Sequence, residues 1–494
     1  MWIKYAVALS LVTGAWACKS SEKPAAAPPS TGSGSATGAA GSATGAAGSA
    51  KDPWVAPDAS LVPETAESKK KRADAAIARV AAIMPKLAKV RELTFDHDIP
   101  REYQSAADFK AFVHAEIVKE MPKDKAADES AALFHIGLLA KPGNLAELEE
   151  QAFTTQAGAY YDPATKRFFM VMVPDSDMML DTMSAHELTH GLQDQHFDLQ
   201  KFMPSDDASQ KALDDDHQAA RRFVVEGDAT FTMFLYQVVQ MTNKKVDGGV
   251  VKMLNSQLDQ FASMTPEEMM KQNSAGFGAS MDPDIKKSVD AMGEIPLTVL
   301  VPMIDSYMQG AKLTATAFEH GGWKGVNALY TAPPESTEQA LHPATKMYSS
   351  RDRPLKVTIP AAKDGAQVAD IVFGELQWQI YFELWAKDQK VIASEGWGGD
   401  RTVVTKRADG RMVARTVTAW DTAKDATEFQ AAYKASMTKR FAKGSGDPFA
   451  ATGFDRGDGA GKIFGKLDRT KVIIVDGADD ATALAALATS ATVK

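Results

Sequence analysis

Cysteine is nearly absent, with one residue in 494, at position 18. A single thiol closes no intrachain disulfide and builds no multi-cysteine zinc module, so both scaffolds are excluded. Any metal site must draw on histidine and carboxylates instead. A basic excess is also missing: 55 Lys and Arg stand against 64 Asp and Glu, a net charge of −9. A nucleic-acid binder needs a basic footprint, so that class of partner is not expected. The apolar run from Tyr5 to Val12 is too short to read as a membrane span. What the chain does have is a 45% hydrophobic fraction, enough for a real core.

Position gives the lone cysteine a meaning. Residues 1–17 carry Lys4, the apolar run, and small residues at Ala15 and Ala17, the pattern of a signal peptide. Cys18 directly after Ala15-Trp16-Ala17 resembles a bacterial lipoprotein signal, although Ala15 stands where Leu is usual. That resemblance implies a lipidated Cys18 that holds the chain to a membrane of the cell envelope, the outer membrane foremost. Ordinary secretion with cleavage after Ala17 is the alternative. Residues 24–50 contain only Ala, Gly, Ser, Thr and Pro, with the heptad Ser-Ala-Thr-Gly-Ala-Ala-Gly repeated at 35–41 and 42–48. Such a segment cannot offset the entropy of ordering and reads as a flexible tether with a mean span of roughly 35 Å.

The expected organisation is a signal peptide at 1–17 and an anchor with linker at 18–60. A helical catalytic region at 61–350 and a small α+β domain at 351–494 follow. Helices are expected at 64–93, 106–120, 128–139, 179–195 and 208–242, with mostly helix over 252–345. Residues 157–174 read as strand, turn, strand, with Asp162-Pro163-Ala164-Thr165-Lys166 at the turn. Strand 168–173 is a candidate sheet edge for an extended peptide. Further on, Arg401–Arg407 and Arg411–Trp420 flank Ala408-Asp409-Gly410 as a hairpin. A helix at 424–440, a strand at 470–475 and a final helix at 479–490 complete an antiparallel α+β unit. Gly396-Trp397-Gly398-Gly399-Asp400-Arg401 reads as a tight turn or Gly-rich loop without assigned chemistry.

The motif that carries chemistry is His186-Glu187-Leu188-Thr189-His190. On a helix, positions i and i+4 share a face, so both imidazoles can hold one ion while Glu187 serves as general base. A third ligand has two candidates. His196 lies ten residues beyond His186, about 15 Å along an unbroken helix, and Gln193 stands where a turning glycine would be needed. Glu226 sits inside the apolar run Phe223-Val224-Val225-Glu226-Gly227, where an unpaired acid is unfavourable. The second setting is favoured. Asp194, one turn beyond His190, is a candidate for fixing that imidazole.

Two histidines on one helix and a glutamate downstream resemble a gluzincin-type zinc metallopeptidase. More narrowly, Gln156-Ala157-Gly158-Ala159-Tyr160-Tyr161-Asp162-Pro163, the stretch His186 to Leu199, Glu226-Gly227-Asp228-Ala229, and Ser336-Thr337-Glu338-Gln339-Ala340-Leu341-His342-Pro343 resemble a group of uncharacterised bacterial envelope metallopeptidases. The resemblance implies a predominantly helical α+β fold with a zincin-like catalytic region. It also implies one Zn2+ per chain and hydrolysis of a protein or peptide substrate. The His-Pro pair resembles the Ser/Thr-His-Pro motif of CaaX-protease-like zinc peptidases, which makes His342 a candidate oxyanion donor, with Tyr160 or Tyr330 as rivals. Two other readings remain open: a non-catalytic envelope protein with a structural metal site, and a zinc hydrolase of a non-peptide amide.

Overall fold

The computed structural model describes residues 7–9, 66–155, 157–174, 176–204, 213–262, 264, 268 and 293–494. Cys18 and the Ala/Gly/Ser linker lie outside the described residues. So does nearly all of 263–292, which the sequence assigns to mostly helical chain. The fold is α+β and predominantly helical, with an antiparallel sheet in the C-terminal region.

The helical part is built from α1 (Ala66–Arg91), α2 (Ala106–Glu120), α3 (Lys123–Ile136), α4 (Leu145–Thr154), α5 (Asp177–Phe197), α6 (Leu199–Phe202), α7 (Asp215–Thr242), α8 (Gly248–Ala262), α9 (Leu297–Ala328) and α10 (Thr337–Leu341). At the centre is α7, buried on every face from Phe223 to Gln237. A helix that is apolar nearly all round has no face for water, so others must enclose it. α1, α5 and α9 do so. α1 contributes a stripe of Ala76, Val80, Ile83, Leu87 and Val90, the spacing of one helical face. α9 bends at Gly321–Gly322, where Gly322 takes a φ of +59°.

Helices α7 and α9 cross with no side chain between them. A Cβ added to Gly310 would lie 2.5 Å from the Phe223 carbonyl oxygen and 2.9 Å from the Gly227 Cα. Only glycine at both positions permits this approach.

A small sheet lies against α5. Its strands β1 (Val7–Leu9), β2 (Arg101–Tyr103), β3 (Ala157–Asp162) and β4 (Arg167–Met170) are ordered β1-β3-β4-β2. The β3–β4 hairpin is closed by Asp162, whose carboxylate accepts from Ala164 N and the Thr165 hydroxyl. The expected peptide-docking edge at 168–173 is corrected here: β4 is paired on both sides, antiparallel to β3 and parallel to β2. The strand beside α5 is β3, and Val7–Leu9 run antiparallel along its outer edge.

The C-terminal region contains β5 (Val357–Thr358), β6 (Ala366–Ile371), β7 (Trp397–Lys406), β8 (Met412–Trp420), β9 (Ser445–Gly446), β10 (Phe454–Asp455), β11 (Lys462–Asp468), β12 (Lys471–Ala478) and β13 (Thr492–Val493). Seven of them form one antiparallel sheet in the order β6-β7-β8-β12-β11-β10-β9. The alternation of β12 decides its two faces. Ile473 and Val475 pack with Leu487 of α14 (Thr482–Ser490), whereas Val472 and Ile474 join the main core. That core includes α11 (Gly374–Trp385), α13 (Ala423–Arg440) and the helical part without interruption, with the short α12 (Lys390–Ser394) alongside. A buried polar knot fastens α3 to this sheet: Asp476 accepts from Arg456 Nη1 at 2.7 Å and Arg440 Nη2 at 3.2 Å, and its backbone oxygen meets His135 Nε2 at 3.3 Å.

Of the stretch 396–401, Gly396 turns the chain with a φ of +75°, and the rest lies in β7. Trp397 is buried in β7, and its indole N–H donates to Asp400 at 2.7 Å. Asp400 also accepts from Trp378 Nε1, Phe373 N and Gly374 N, which ties the start of α11 to the sheet.

The glycine contact yields a prediction. Replacing Gly310 by alanine forces backbone apart and is expected to lower stability by about 3 kcal/mol, the upper range for overpacking. The shift in urea midpoint measures it, and a loss below about 1 kcal/mol would contradict the close approach.

Candidate metal centre

The site begins with α5. Ser176 caps its first turn by accepting from Met179 N at 3.5 Å, and the helix then runs unbroken to Phe197. His186 and His190 therefore lie on one face, and both rings are buried. Their Nε2 atoms are 3.1 Å apart. From the neighbouring α7, Glu226 Oε2 stands 3.3 Å from His186 Nε2 and 3.6 Å from His190 Nε2. The structure thus brings together Glu226 and the two histidines, and the three donor atoms face one point.

His196 is elsewhere. An unbroken α5 carries it away from the pair, and its Nε2–H donates to the Thr94 carbonyl at 2.7 Å on the exposed surface.

Glu187 is fully buried, and its Oε2 accepts from the Tyr161 N–H of β3 at 2.8 Å. A carboxylate oxygen of Glu187 and the ring nitrogens of His186 and His190 lie within 4.8 Å of one another. Glu226 is the closer carboxylate to both rings, while Glu187 is tethered to the strand. The shortest separations are those among His186, His190 and Glu226, with Glu187 beside them.

Whether these residues suit zinc can be tested on their own separations. Two donors each about 2.0–2.1 Å from one tetrahedral ion stand roughly 3.3 Å apart. The observed 3.1, 3.3 and 3.6 Å bracket that value. Imidazole and carboxylate are also the donor types zinc accepts, so the residues fit.

Electrostatics within the cluster are strongly coupled. Burial pushes His186 down to about 4. Burial also opposes charge on His190, but its hydrogen bond and attraction to Glu226, with Glu187 adding to them, raise it to about 9. Glu226 is held below the usual carboxylate range, because the two imidazoles outweigh the burial that opposes its charge.

The partner that orients His190 is Gln193, not Asp194. Gln193 Oε1 lies 2.8 Å from His190 Nδ1 and accepts from it. Gln193 Nε2 in turn donates to the Val225 carbonyl at 2.9 Å and to Asp228 at 3.3 Å. With Nδ1 turned to Gln193, Nε2 is the nitrogen that faces Glu226 and His186. Asp194 turns the other way: it accepts from the Tyr161 hydroxyl at 2.7 Å and from Lys166 Nζ at 2.7 Å, and so braces the β3–β4 hairpin. Sequence reasoning picked the i+4 position, where the i+3 position shares the same face.

Behind Gln193 lies a buried ion pair that the sequence did not signal. Arg91, the last residue of α1, and Asp228 on α7 are both 0% exposed and meet at 2.8 Å. Arg91 also donates to Asn327 and lies over the Trp323 ring, while the Tyr330 hydroxyl donates to Asp228 at 2.8 Å.

The candidate oxyanion donors are engaged elsewhere. His342 follows α10, and its Nε2 meets Glu375 Oε1 at 2.9 Å. Tyr160 donates to Gln104, and Tyr330 to Asp228. The ring packed on His186 is that of Tyr307, with centroids 5.4 Å apart.

Removing Arg91 leaves Asp228 charged and enclosed. Arg91→Ala is expected to cost about 3–5 kcal/mol. The Arg91→Ala, Asp228→Ala double variant should cost clearly less than the sum of the single changes. Additive unfolding midpoints would mean that the pair is not coupled.

A domain of unknown function (DUF8575) matches residues 362–488, from just before β6 into α14. His186, Glu187, His190 and Glu226 lie outside the matched segment. No curated protein and no solved structure matches the chain.

Proposed function

We propose that the protein is a zinc metallopeptidase of the cell envelope with a zincin-like catalytic region. One observation carries the reading: His186 Nε2, His190 Nε2 and Glu226 Oε2 converge at 3.1–3.6 Å beside a buried Glu187. A structural clip has no need of that fourth group.

His186, His190 and Glu226 would hold the ion. When bound, zinc supplies a Lewis acid and a water acidic enough to ionise near neutral pH. Everything else falls to the chain. Gln193 keeps the His190 proton on Nδ1. Tyr161 N–H fixes one oxygen of Glu187, and the carboxylate takes the proton of the attacking water and passes it to the leaving amine. β3 supplies the place for a substrate. The sequence expects the leader to be removed, which would free the β3 edge that Val7–Leu9 now pair with. An extended peptide on that edge would run beside the strand that holds Glu187. The lipid anchor at Cys18 and its tether would keep the enzyme at a membrane surface. No helix among the described residues is long and apolar enough to cross one.

Purified protein is expected to carry about one zinc per chain and to cleave an unstructured protein such as casein. Glu187→Gln should keep the zinc, measured by mass spectrometry of the metal, and lower cleavage by about 100-fold or more. Zinc retained with wild-type cleavage in that variant would end the mechanism. A metal sphere closed by four protein ligands would favour the structural-clip reading. Gln193→Ala is expected to weaken zinc binding by about 10–100-fold in a chelator competition, because the imidazole loses its orienting partner. Asp194→Asn should leave that affinity near wild type.

A further inference from the structure

A second site lies along α7 from Glu226, about 15 Å towards the N-terminus of that helix. Here α3, α4, α7 and α9 meet β6 and α11 around a cavity of about 80 Å³. Glu149 of α4 lines it and is only 8% exposed. No hydrogen bond or ion pair holds the Glu149 side chain among the described residues. Gln377 also lines the cavity, and its Oε1 is buried without a donor. Glu129, Asp215 and Asp216 also line it, Asp216 accepting from the Thr337 hydroxyl, and no lysine or arginine lies in the wall. Burial pushes Glu149 up to about 8, and the charges of Glu129 and Glu120 add to it.

A buried carboxylate without a partner is costly, so a chain that keeps one either leaves it protonated or supplies a cation. A bare metal ion is a poor occupant. Among the described residues, the carboxylates and histidines close enough to chelate are His186 with Glu187 and His190, and Glu338 with Asp352 and Asp421. The second of those groups already surrounds Lys346 Nζ at 2.6–2.9 Å. Glu129, Glu149 and Asp215 are too dispersed to chelate an ion. They instead surround a space whose remaining wall is apolar, with Leu133 and Phe153 on it. Methylene groups favour such a wall while a charged head seeks the acids. The volume corresponds to roughly six water-sized positions, room for a short alkyl chain.

We propose that this cavity binds a primary ammonium group at the end of a short aliphatic chain, with Glu149 as its counter-ion and Gln377 Oε1 as a further acceptor. A lysine side chain in a peptide and a free alkylamine share that chemistry. The cavity shares Glu129, Asp215 and Val372 with a wider cleft of about 870 Å³ between the start of α7 and strands β6 and β7, which has room for a peptide segment. The site does not rest on the peptidase reading and is tested by binding alone.

The test is calorimetric titration of the full chain with three probes: n-butylammonium chloride, n-butanol, and the blocked peptide acetyl-Ala-Ala-Lys-Ala-Ala-amide. Saturable binding of butylammonium or of the peptide, with none of butanol, is expected. Tighter binding of the peptide identifies a protein lysine as the source, and binding of butylammonium alone identifies a free amine. Glu149→Gln should weaken the binding at least tenfold. That variant replaces an unpaired buried carboxyl by a neutral amide of the same shape, so its melting temperature without ligand should equal or exceed wild type, which separates loss of binding from loss of fold. Asp215→Asn gives a second, milder reduction. The proposal fails if neither cation binds more tightly than butanol, or if Glu149→Gln binds as well as wild type.

Discussion

The Arg91–Asp228 ion pair sits where α1, α5, α7 and α9 meet, and each of these helices sends a group to it. Two opposite charges taken wholly out of water hold only if their remaining donors and acceptors are also met. Here Asn327, Tyr330 and Gln193 meet most of them, while Arg91 Nη1 is buried without an acceptor. The arrangement has little slack, because the same Gln193 that donates to Asp228 accepts from His190. The orientation of one imidazole is thus inherited from an ion pair two residues further along α7 than Glu226. The buried interior of α7 and the helices that enclose it are the setting this chain of contacts needs.

The residues facing the cluster were legible in the sequence for a plain reason. A four-residue spacing on a helix puts two side chains on one face whatever the tertiary fold does. Glu226 was legible because an acid in an apolar run asks for a partner. Those arguments use only local geometry and the cost of burial. The hairpin around Asp409-Gly410 and the helices at 106–120 and 424–440 were readable on the same local terms, and the structure places them at Ala106–Glu120 and Ala423–Arg440.

What stayed hidden depends on neighbours distant in sequence. Gln193 and Asp194 lie three and four residues beyond His190, and only the positions of Val225, Tyr161 and Lys166 decide which of them serves that imidazole. Arg91 ends a helix whose other charges face water, so its complete burial could not be inferred from α1 itself. Strand 168–173 read as an edge because pairing on the β2 side comes from residues 101–103, far upstream. The stretch 396–401 read as a turn or glycine-rich loop because the carboxylate that receives the Trp397 indole, Asp400, also gathers donors from residues 373, 374 and 378. In each case a long-range hydrogen bond settles a choice that local pattern leaves even.

The glycine pair at 227 and 310 has a mechanical meaning. Elsewhere in a core, side chains act as springs: a shifted helix is absorbed by rotamer changes before it reaches the next backbone. Between α7 and α9 there is nothing to compress, because peptide rests on peptide. Glu226 is the residue next to that contact. A shift of α9 therefore reaches the α7 backbone beside Glu226 directly, and the position of α9 bears on how closely Glu226 meets His186 and His190.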